Sequence, residues 1–498
     1  MNRPKAIIVG AGIAGIATAI RLRRQGFTVS VYEANAYAGG KLSQIELNGY
    51  RFDGGPSLFT LPHLVDELFE LCGENPRQHF QYRALPQICN YFYDDGTRFT
   101  AHASRSTFNE ALQAVATPNE RRAFFKQLDL AARRYQLTAP LFIEQSLHRI
   151  KNYLNWRTVK GLLNAHQLNP FQSMNTENQH RVQNPYLTQY LNRYATYNGS
   201  DPYRAPALLN MIPHLEHDLG SYFPEGGLFS IPKSLHQLAL SQGVEFHFQQ
   251  PVQEIATERG TVHGIRVKHP DSGEKTFIPA DVVVSNADIY TTYKRLLPKL
   301  PSPEKILSQE RSTSALVFYW GIRAQFPELH LHNIFFSRDY KAEFEQLFKG
   351  REPYQDPTVY INITSKCSSG DAPEGCENWF VMINVPHHQG QDWAELTRVC
   401  REQILQKLSS VLGRDIASLI EAETTLDPLK IETLTSSHGG SLYGTASNNR
   451  FAAFLRHKNF SSEVKGLYFC GGSVHPGGGI PLCLNSAKIV SSMVAEDL

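Results

Sequence analysis

Two glycine-rich strings stand near opposite ends of this sequence, and both contain the residue types needed to hold a phosphate-bearing group. The first, Gly10-Ala11-Gly12-Ile13-Ala14-Gly15, follows an apolar stretch from Ala6 to Val9 and runs into apolar residues at helical spacing, Ile13, Ile16, Ala17 and Ile20. Gly10 permits a tight strand-to-helix turn, Gly12 lets the backbone approach a pyrophosphate, and Gly15 lets the helix pack on the strand. The helix amino terminus, with Ile13 and Ala14 in its first turn, faces the phosphate charge. A second strand, Thr28 to Tyr32, ends on Glu33, about 20 residues beyond the glycines, where a carboxylate can accept hydrogen bonds from an adenosine ribose. An acid at this place disfavours a 2′-phosphate. Strand, turn, helix, strand and acid agree on dinucleotide binding.

The second string is GLYFCGGSVHPGGGIPLCLNSAKIV, from Gly466 to Val490. A strand from Leu467 to Cys470 meets Gly471-Gly472. A glycine-rich turn then passes Gly479 into a helix starting near Ile480. Backbone amides and a second helix amino terminus are thereby offered to an anionic group. His475 lies inside this string and is the candidate catalytic base, the alternative being a histidine that shapes the loop. His438, before Gly439-Gly440, is a lesser candidate, while His387 and His388 follow a strand end at Pro386 and read as surface or loop residues. No His, Cys, Asp or Glu cluster has metal-ligand spacing, so no metal is expected.

The elements that must position these groups come from a chain of 498 residues, 41% hydrophobic, which is enough for a large core and two or three domains. A net charge of +2, from 49 basic and 47 acidic residues, gives no support for a nucleic-acid partner. Seven cysteines without a C-x-x-C pair read as reduced thiols of a cytosolic protein. No signal peptide is expected, and no run of about 18 apolar residues argues for a transmembrane helix, so any membrane contact must be peripheral. The segment Leu147 to Leu163 combines apolar positions with His148, Arg149, Lys151, Arg157 and Lys160. Such a helix either lies in a bilayer surface or packs on the core as an ordinary surface helix.

Further along, a helix is predicted over 62–72 and a hairpin over about 88–101 turning at Asp95-Gly96. Helical pattern extends from Thr107 to about Gly161, broken near Pro118 and Pro140, and 165–185 reads as a loop. After 223–235 come a helix, a strand from Val244 to Phe248, two strands joined at Gly260, and the strand Val282 to Ser285. Apolar strands follow at Ala315 to Ile322, Thr358 to Ile363 and Trp379 to Val385, then a helix from Trp393 to Leu412.

After Glu33 the chain continues with a short spacer, Gly39-Gly40-Lys41, and then FDGGPSLFTLP at 52–62. This stretch resembles the glutathione-reductase-like FAD enzymes. The resemblance implies that Gly39, Gly40 and Lys41 lie along the FAD diphosphate and ribose, Lys41 being otherwise a solvated loop lysine, and that Val252 lies near the adenine. With ADVVVSNAD at 280–288 and SVHPGGGIP at 473–481, the chain is identified as resembling the bacterial-type phytoene desaturase family of carotenoid desaturases along its whole length. FDGGPSLFTLPHLVDELFELCG and GGSLYGTASNN look most like desaturases of 1-hydroxylated carotenoid ends. Ser473-Val474, where many members have Gly-Thr, is a departure.

The fold class implied is α/β: an FAD-binding Rossmann-like, glutathione-reductase-like domain (1–75, 221–305 and 430–498) with an inserted mixed α+β substrate domain (76–220 and 306–429). The implied activity is FAD-dependent introduction of C=C bonds into an apolar carotenoid by a cytoplasm-facing, peripherally membrane-associated enzyme. A carotenoid cis–trans isomerase using reduced FAD and an amine oxidase are the enzyme alternatives. Rab GDP-dissociation inhibitors and escort proteins, which bind prenylated partners without redox chemistry, are the alternative of another class.

Overall fold

The computed structural model describes residues 3–149, 152, 169, 171–268, 273–449 and 455–497. Its first strand, Lys5–Val9, turns at Gly10 into the helix Ile13–Arg24, and Gly26, with φ of +95°, reverses the chain into the strand Thr28–Tyr32. These two strands are the centre of a five-stranded parallel sheet. Its order is Leu467–Phe469, Val282–Ser285, Lys5–Val9, Thr28–Tyr32 and Glu245–His247, drawn from four separated parts of the chain. A parallel sheet needs cover on both faces, so its strands are continuous apolar runs. Ala6 and Ile8 point into a core shared with the helices Ile13–Arg24, Ser230–Ser241 and Ile480–Asp497. Ile7 and Val9 point the other way, onto Ile255, Val262, Ile265 and Val267 of a three-stranded antiparallel sheet (Val252–Glu258, Thr261–Lys268, Lys275–Pro279).

The second large sheet has seven strands in the order Ile420–Leu426, Ser314–Ile322, Glu377–Val385, Val359–Asn362, His332–Phe335, Gln87–Phe92 and Arg98–His102. Side chains alternate across it with period two. Leu316, Phe318, Trp320, Trp379, Val381 and Ile383 pack under the helix Trp393–Leu412. Ala315, Val317, Tyr319 and Phe380 face the opposite way, onto Tyr50 and Phe52 of the hairpin Gln44–Leu47 and Tyr50–Asp53. That hairpin follows the first glycine unit in sequence and ties the two sheets together. Gly321 is where the approach is tightest: a Cβ there would lie 2.5 Å from the Tyr50 ring.

Two expectations need correction. Residues 165–185, read as a loop, contain the helix Met174–Val182, capped by Ser173, whose side chain accepts from the Thr176 amide. The polar residues that mimicked a loop are buried in a network: Glu177 takes a bidentate bond from Arg134 at 2.6 and 2.7 Å and accepts from Asn210 at 2.9 Å. Pro140 does not break its helix, which runs over Pro118–Phe142. It sits in the last turn, where only one backbone bond is forfeited. The short strands at His332–Phe335 and Ile420–Leu426 were not foreseen, because each takes its shape from pairing with a distant strand. The helix read at 147–163 lies outside the described residues apart from 147–149 and 152. Among the described residues no helix is long and apolar enough to cross a membrane.

The Arg134–Glu177 pair is buried, at 1% and 2% side-chain exposure. Arg134→Met leaves the buried carboxylate with only neutral donors and the half-exposed Arg181, 3.6 Å away, and is expected to cost about 3 kcal/mol in denaturant unfolding, part of it recovered when Glu177→Leu is added.

Candidate functional site

The glycine strings meet at the carboxyl ends of the parallel strands, the place where open α/β sheets bind ligands. Gly10 holds φ of +98°, and its amide donates to the Tyr32 carbonyl at 2.8 Å. A Cβ on Gly15 would lie 2.2 Å from the Gly10 carbonyl oxygen, so the first helix turn rests directly on the strand-to-helix turn. That helix begins at Ile13 with no side-chain cap on Gly12 and no acid in its first turn. The amides of its first turn, through Ile13, Ala14 and Gly15, are thus left for an external acceptor.

Glu33 is buried, and its carboxylate accepts from the Ala11 amide at 2.7 Å and from the backbone and side chain of Asn35 at 2.8 and 3.0 Å. It therefore joins the glycine turn to the chain leaving the second strand. The Gly39 amide donates to the Ala11 carbonyl at 2.8 Å, and a Cβ on Gly40 would lie 3.2 Å from Gly12 Cα, so the two glycine segments lie backbone to backbone. Lys41 spends two of its three donors on the Ser441 and Leu442 carbonyls, at 3.2 and 2.8 Å. Burial lowers its pKa, against an opposing pull from Asp288. Val252 opens the antiparallel sheet opposite Val267, and this stretch is held beside Glu33 by the Gln250 amide donating to the Glu33 carbonyl at 2.9 Å.

At the other end of the chain, Gly471 has φ of +104° and its amide donates to Ser486 Oγ at 3.2 Å. A Cβ on Gly472 would lie 3.2 Å from Gly478 Cα. Gly479, also at φ of +104°, leads into buried Ile480 and the final helix. Asn286, one residue past the strand Val282–Ser285, brings the two strings together. Its Nδ2 donates to the Gly10 carbonyl at 3.3 Å, and its Oδ1 is so close to Gly471 that a Cβ there would lie 2.7 Å away. Arg456 is a second residue that sequence reasoning missed. It is buried and donates to the carbonyls of Tyr443 and Thr445, both at 2.9 Å, and of Gly472 at 3.4 Å; burial lowers its pKa to about 10. The quoted string ADVVVSNAD held Asn286 without marking it, and Arg456 had no signal in its spacing.

The histidines are placed as follows. His475 is 1% exposed, and its Nε2 lies 2.8 Å from the Gln145 carbonyl, which can only accept, so Nε2 carries the proton. Its own carbonyl accepts from Asn459 Nδ2 at 2.7 Å and Ser486 Oγ at 3.0 Å, and burial lowers its pKa to about 4. His438 stacks on Tyr290 with ring centres 3.6 Å apart. His387 lies in the loop after the strand Glu377–Val385 and is partly buried. It packs so closely on the 438–440 loop that a Cβ on Gly439 would lie 3.1 Å from its Cδ2, and burial, with Arg311 nearby, lowers its pKa to about 4. His388 accepts from Trp393 Nε1 at 3.0 Å.

Above the glycine loops lies the inner face of the seven-stranded sheet. Tyr319 donates to the Gly54 carbonyl at 2.7 Å, and a Cβ on Gly55 would lie 1.9 Å from the Lys41 carbonyl oxygen, so the 53–57 segment is clamped between sheet and glycine unit. Tyr360, Met382 and Asn384 share this face and keep solvent-accessible surface, while their neighbours Val359, Ile361, Val381, Ile383 and Val385 on the other face are buried. Accessible side chains on central strands mark a cleft between the sheet and the loops.

A model of the family described as flavin containing amine oxidoreductase matches residues 13–495. The chain is 50% identical to a 1-hydroxycarotenoid 3,4-desaturase of Flavobacterium sp. (strain P99-3), over 98% of this chain and 99% of that protein. It is 30% identical to a 4,4′-diapolycopene oxygenase of Methylomonas sp., over 100% and 99% of the two chains. Among solved structures, putrescine oxidase bound to putrescine superposes with a TM-score of 0.64 at 14% identity, covering 99% of each chain, which shows a shared fold. The residues here fit a flavin dinucleotide. The uncapped helix amides suit its diphosphate, the buried carboxylate at the end of the second strand suits its ribose, and glycines stand wherever a Cβ would close the backbone cradle. The chain is therefore a member of the flavin-containing amine oxidoreductase family and an FAD-dependent oxidoreductase.

Proposed function

We propose that this enzyme is a carotenoid desaturase that introduces a C=C bond near the hydroxylated end of a linear polyene, as the name of its 50% identical relative describes. The observation that carries the reading is the cleft bounded by Tyr360, Met382 and Asn384 on one side and the 53–57 segment on the other. It lies against the cofactor loops, where Tyr319 donates to the Gly54 carbonyl at 2.7 Å. A polyene offers few polar handles, so shape and apolar area supply most of its binding. FAD, held by these loops, would supply the two-electron oxidation in which one carbon of the new double bond loses hydride and its neighbour loses a proton. The chain's part is to orient the polyene along the sheet, to exclude water, and to hold the cofactor loops in register through Asn286, Lys41 and Arg456. His475 acts as a positioning residue, since its Nε2–H is engaged by Gln145 and its neutral ring shapes the glycine turn. The cofactor contacts proposed are those of Gly10, Gly12, Ile13, Ala14, Gly15, Glu33, Gly39, Gly40, Lys41, Val252, Gly471, Gly472, Gly479 and Ile480, within the discontinuous cofactor domain. A substrate insoluble in water also calls for peripheral contact with lipid.

The test is incubation of the FAD-loaded protein in liposomes with phytoene, neurosporene and a 1-hydroxycarotenoid, followed by absorbance and mass. A red-shifted product lighter by two hydrogens is expected, fastest from the hydroxylated substrate. Unchanged mass with altered isomers would replace this reading with an isomerase, and no product from any polyene would overturn it.

A further inference from the structure

Ser57 and Tyr360 meet where the 53–57 segment touches the sheet at the edge of the cleft, the tyrosine hydroxyl donating to Ser57 Oγ at 2.8 Å. Tyr360 lies on the strand Val359–Asn362, and its hydroxyl is also 2.8 Å from His332 Nδ1, which in turn lies 3.2 Å from Asn362 Nδ2. His332 is 3% exposed, and burial, with Arg193 nearby, holds its ring neutral. The tyrosine hydroxyl is therefore pinned in one position by a partner that does not change charge. Ser57 stands in the 53–57 segment, two residues beyond the glycine that rests on the Lys41 carbonyl. It keeps accessible surface, and a serine hydroxyl offers one donor and two acceptor sites, of which the bond to Tyr360 uses one.

The chemistry of the proposed substrate places a constraint on any group that recognises it. In a polyene hydroxylated at C1 and oxidised at C3 and C4, the oxygen is three bonds from the nearer reacting carbon, a span of about 4 Å. A side chain that reads the hydroxyl must then stand at the cofactor end of the cleft, beside the reacting carbons. On the inner face of the sheet the Ser57–Tyr360 pair meets that demand. It is hydrogen-bonded and partly accessible, and it is joined through the 53–57 backbone to the loop carrying Gly39, Gly40 and Lys41.

We propose that Ser57 and Tyr360 form the subsite for the substrate's terminal hydroxyl and so set the preference for a 1-hydroxylated over an unhydroxylated polyene end. This inference rests on the desaturase reading above. Discrimination arises on both sides of the comparison. The hydroxylated end meets the remaining hydrogen-bonding capacity of Ser57, whereas an unhydroxylated end buries that capacity unmet.

The test is the ratio of kcat/KM for a 1-hydroxycarotenoid to that for its unhydroxylated counterpart, measured on the FAD-loaded enzyme in liposomes. Tyr360→Phe keeps the ring that packs on Phe380 and removes only the hydroxyl, and Ser57→Ala removes the other. Each is expected to lower the ratio about tenfold, and the double variant to bring it close to one. Retained flavin and an unchanged melting temperature show that each variant is folded. A wild-type enzyme with no preference, or variants that keep the wild-type ratio, would overturn the subsite even if both polyenes are desaturated. A wild-type enzyme that desaturates neither would instead overturn the desaturase reading and the subsite with it. The signature of a merely structural role, equal losses on both substrates, would also reject it.

Discussion

Gly15→Val is expected to yield a colourless protein that retains no flavin through gel filtration. The reason is geometric. A Cβ at this position would lie 2.2 Å from the Gly10 carbonyl oxygen and 3.0 Å from Asn286 Nδ2. The first obstacle is backbone and cannot rotate away, so the helix Ile13–Arg24 must lift off the strand Lys5–Val9. The amides that await the diphosphate move with it, and so does Asn286, which holds the second glycine string in place. A control separates this clash from the general cost of replacing a glycine. Gly26 has φ of +95° but nothing within 4 Å of a Cβ. Gly26→Ala should therefore lose about 1 kcal/mol of stability from backbone strain and remain fully yellow. Bound flavin in Gly15→Val at the wild-type ratio would mean that the glycine turn is not the close-packed cradle described above.

The second large effect is acid lability. Burial lowers the pKa of His217, His387, His457 and His475 to about 4, and that of His332 to about 3, from an ordinary value of 6.5. In each case the folded pKa lies below the unfolded one. The unfolded chain then binds more protons, and the stability present above pH 6.5 is lost as pH falls toward 4. A shift from 6.5 to about 4 corresponds to at most about 3 kcal/mol for a ring. Glu177 adds to the loss lower down, because Arg134 holds its carboxyl at about 2 against an ordinary 4.5. The urea midpoint should stay flat between about pH 8 and 7, then drop steeply below pH 6.5, with unfolding complete near pH 4. His475→Gln, whose side-chain amide can still donate to the Gln145 carbonyl, should make the fall shallower. A midpoint unchanged down to pH 5 would refute the buried neutral histidines.

What could be read before the structure was local. The strand Lys5–Val9, the turn at Gly10, the helix from Ile13 and the acid at Glu33 follow from period-two and period-3.6 patterning and from glycine's access to positive φ. The structure places all of them within a residue of expectation. The hairpin at Asp95-Gly96 and the helix Trp393–Leu412 belong to the same class, since each carries its own turn or cap. The final helix could be read from its apolar run, and His475 could be singled out because it interrupts a glycine string.

The remainder depended on neighbours far away in the chain. The helix Met174–Val182 looked like a loop because its polar residues are buried against Arg134, a partner some 40 residues away. His387 reads correctly as a loop residue, but a sequence does not show that the 438–440 loop will pack against it. Asn286 and Arg456 are ordinary in type and spacing. They matter because the tertiary fold sets one between Gly10 and Gly471 and the other against the carbonyls of Tyr443, Thr445 and Gly472. The Ser57–Tyr360 pair is a case of the same kind, two hydroxyls 303 positions apart that meet only when the seven-stranded sheet closes over the 53–57 segment. The sequence by itself determined that a dinucleotide would be bound, because glycine conformation and helix amides act within a few residues. Which side chains line the cleft above it was decided by the tertiary structure, because hydrogen bonds and packing depend on distance in space and take no account of distance along the chain.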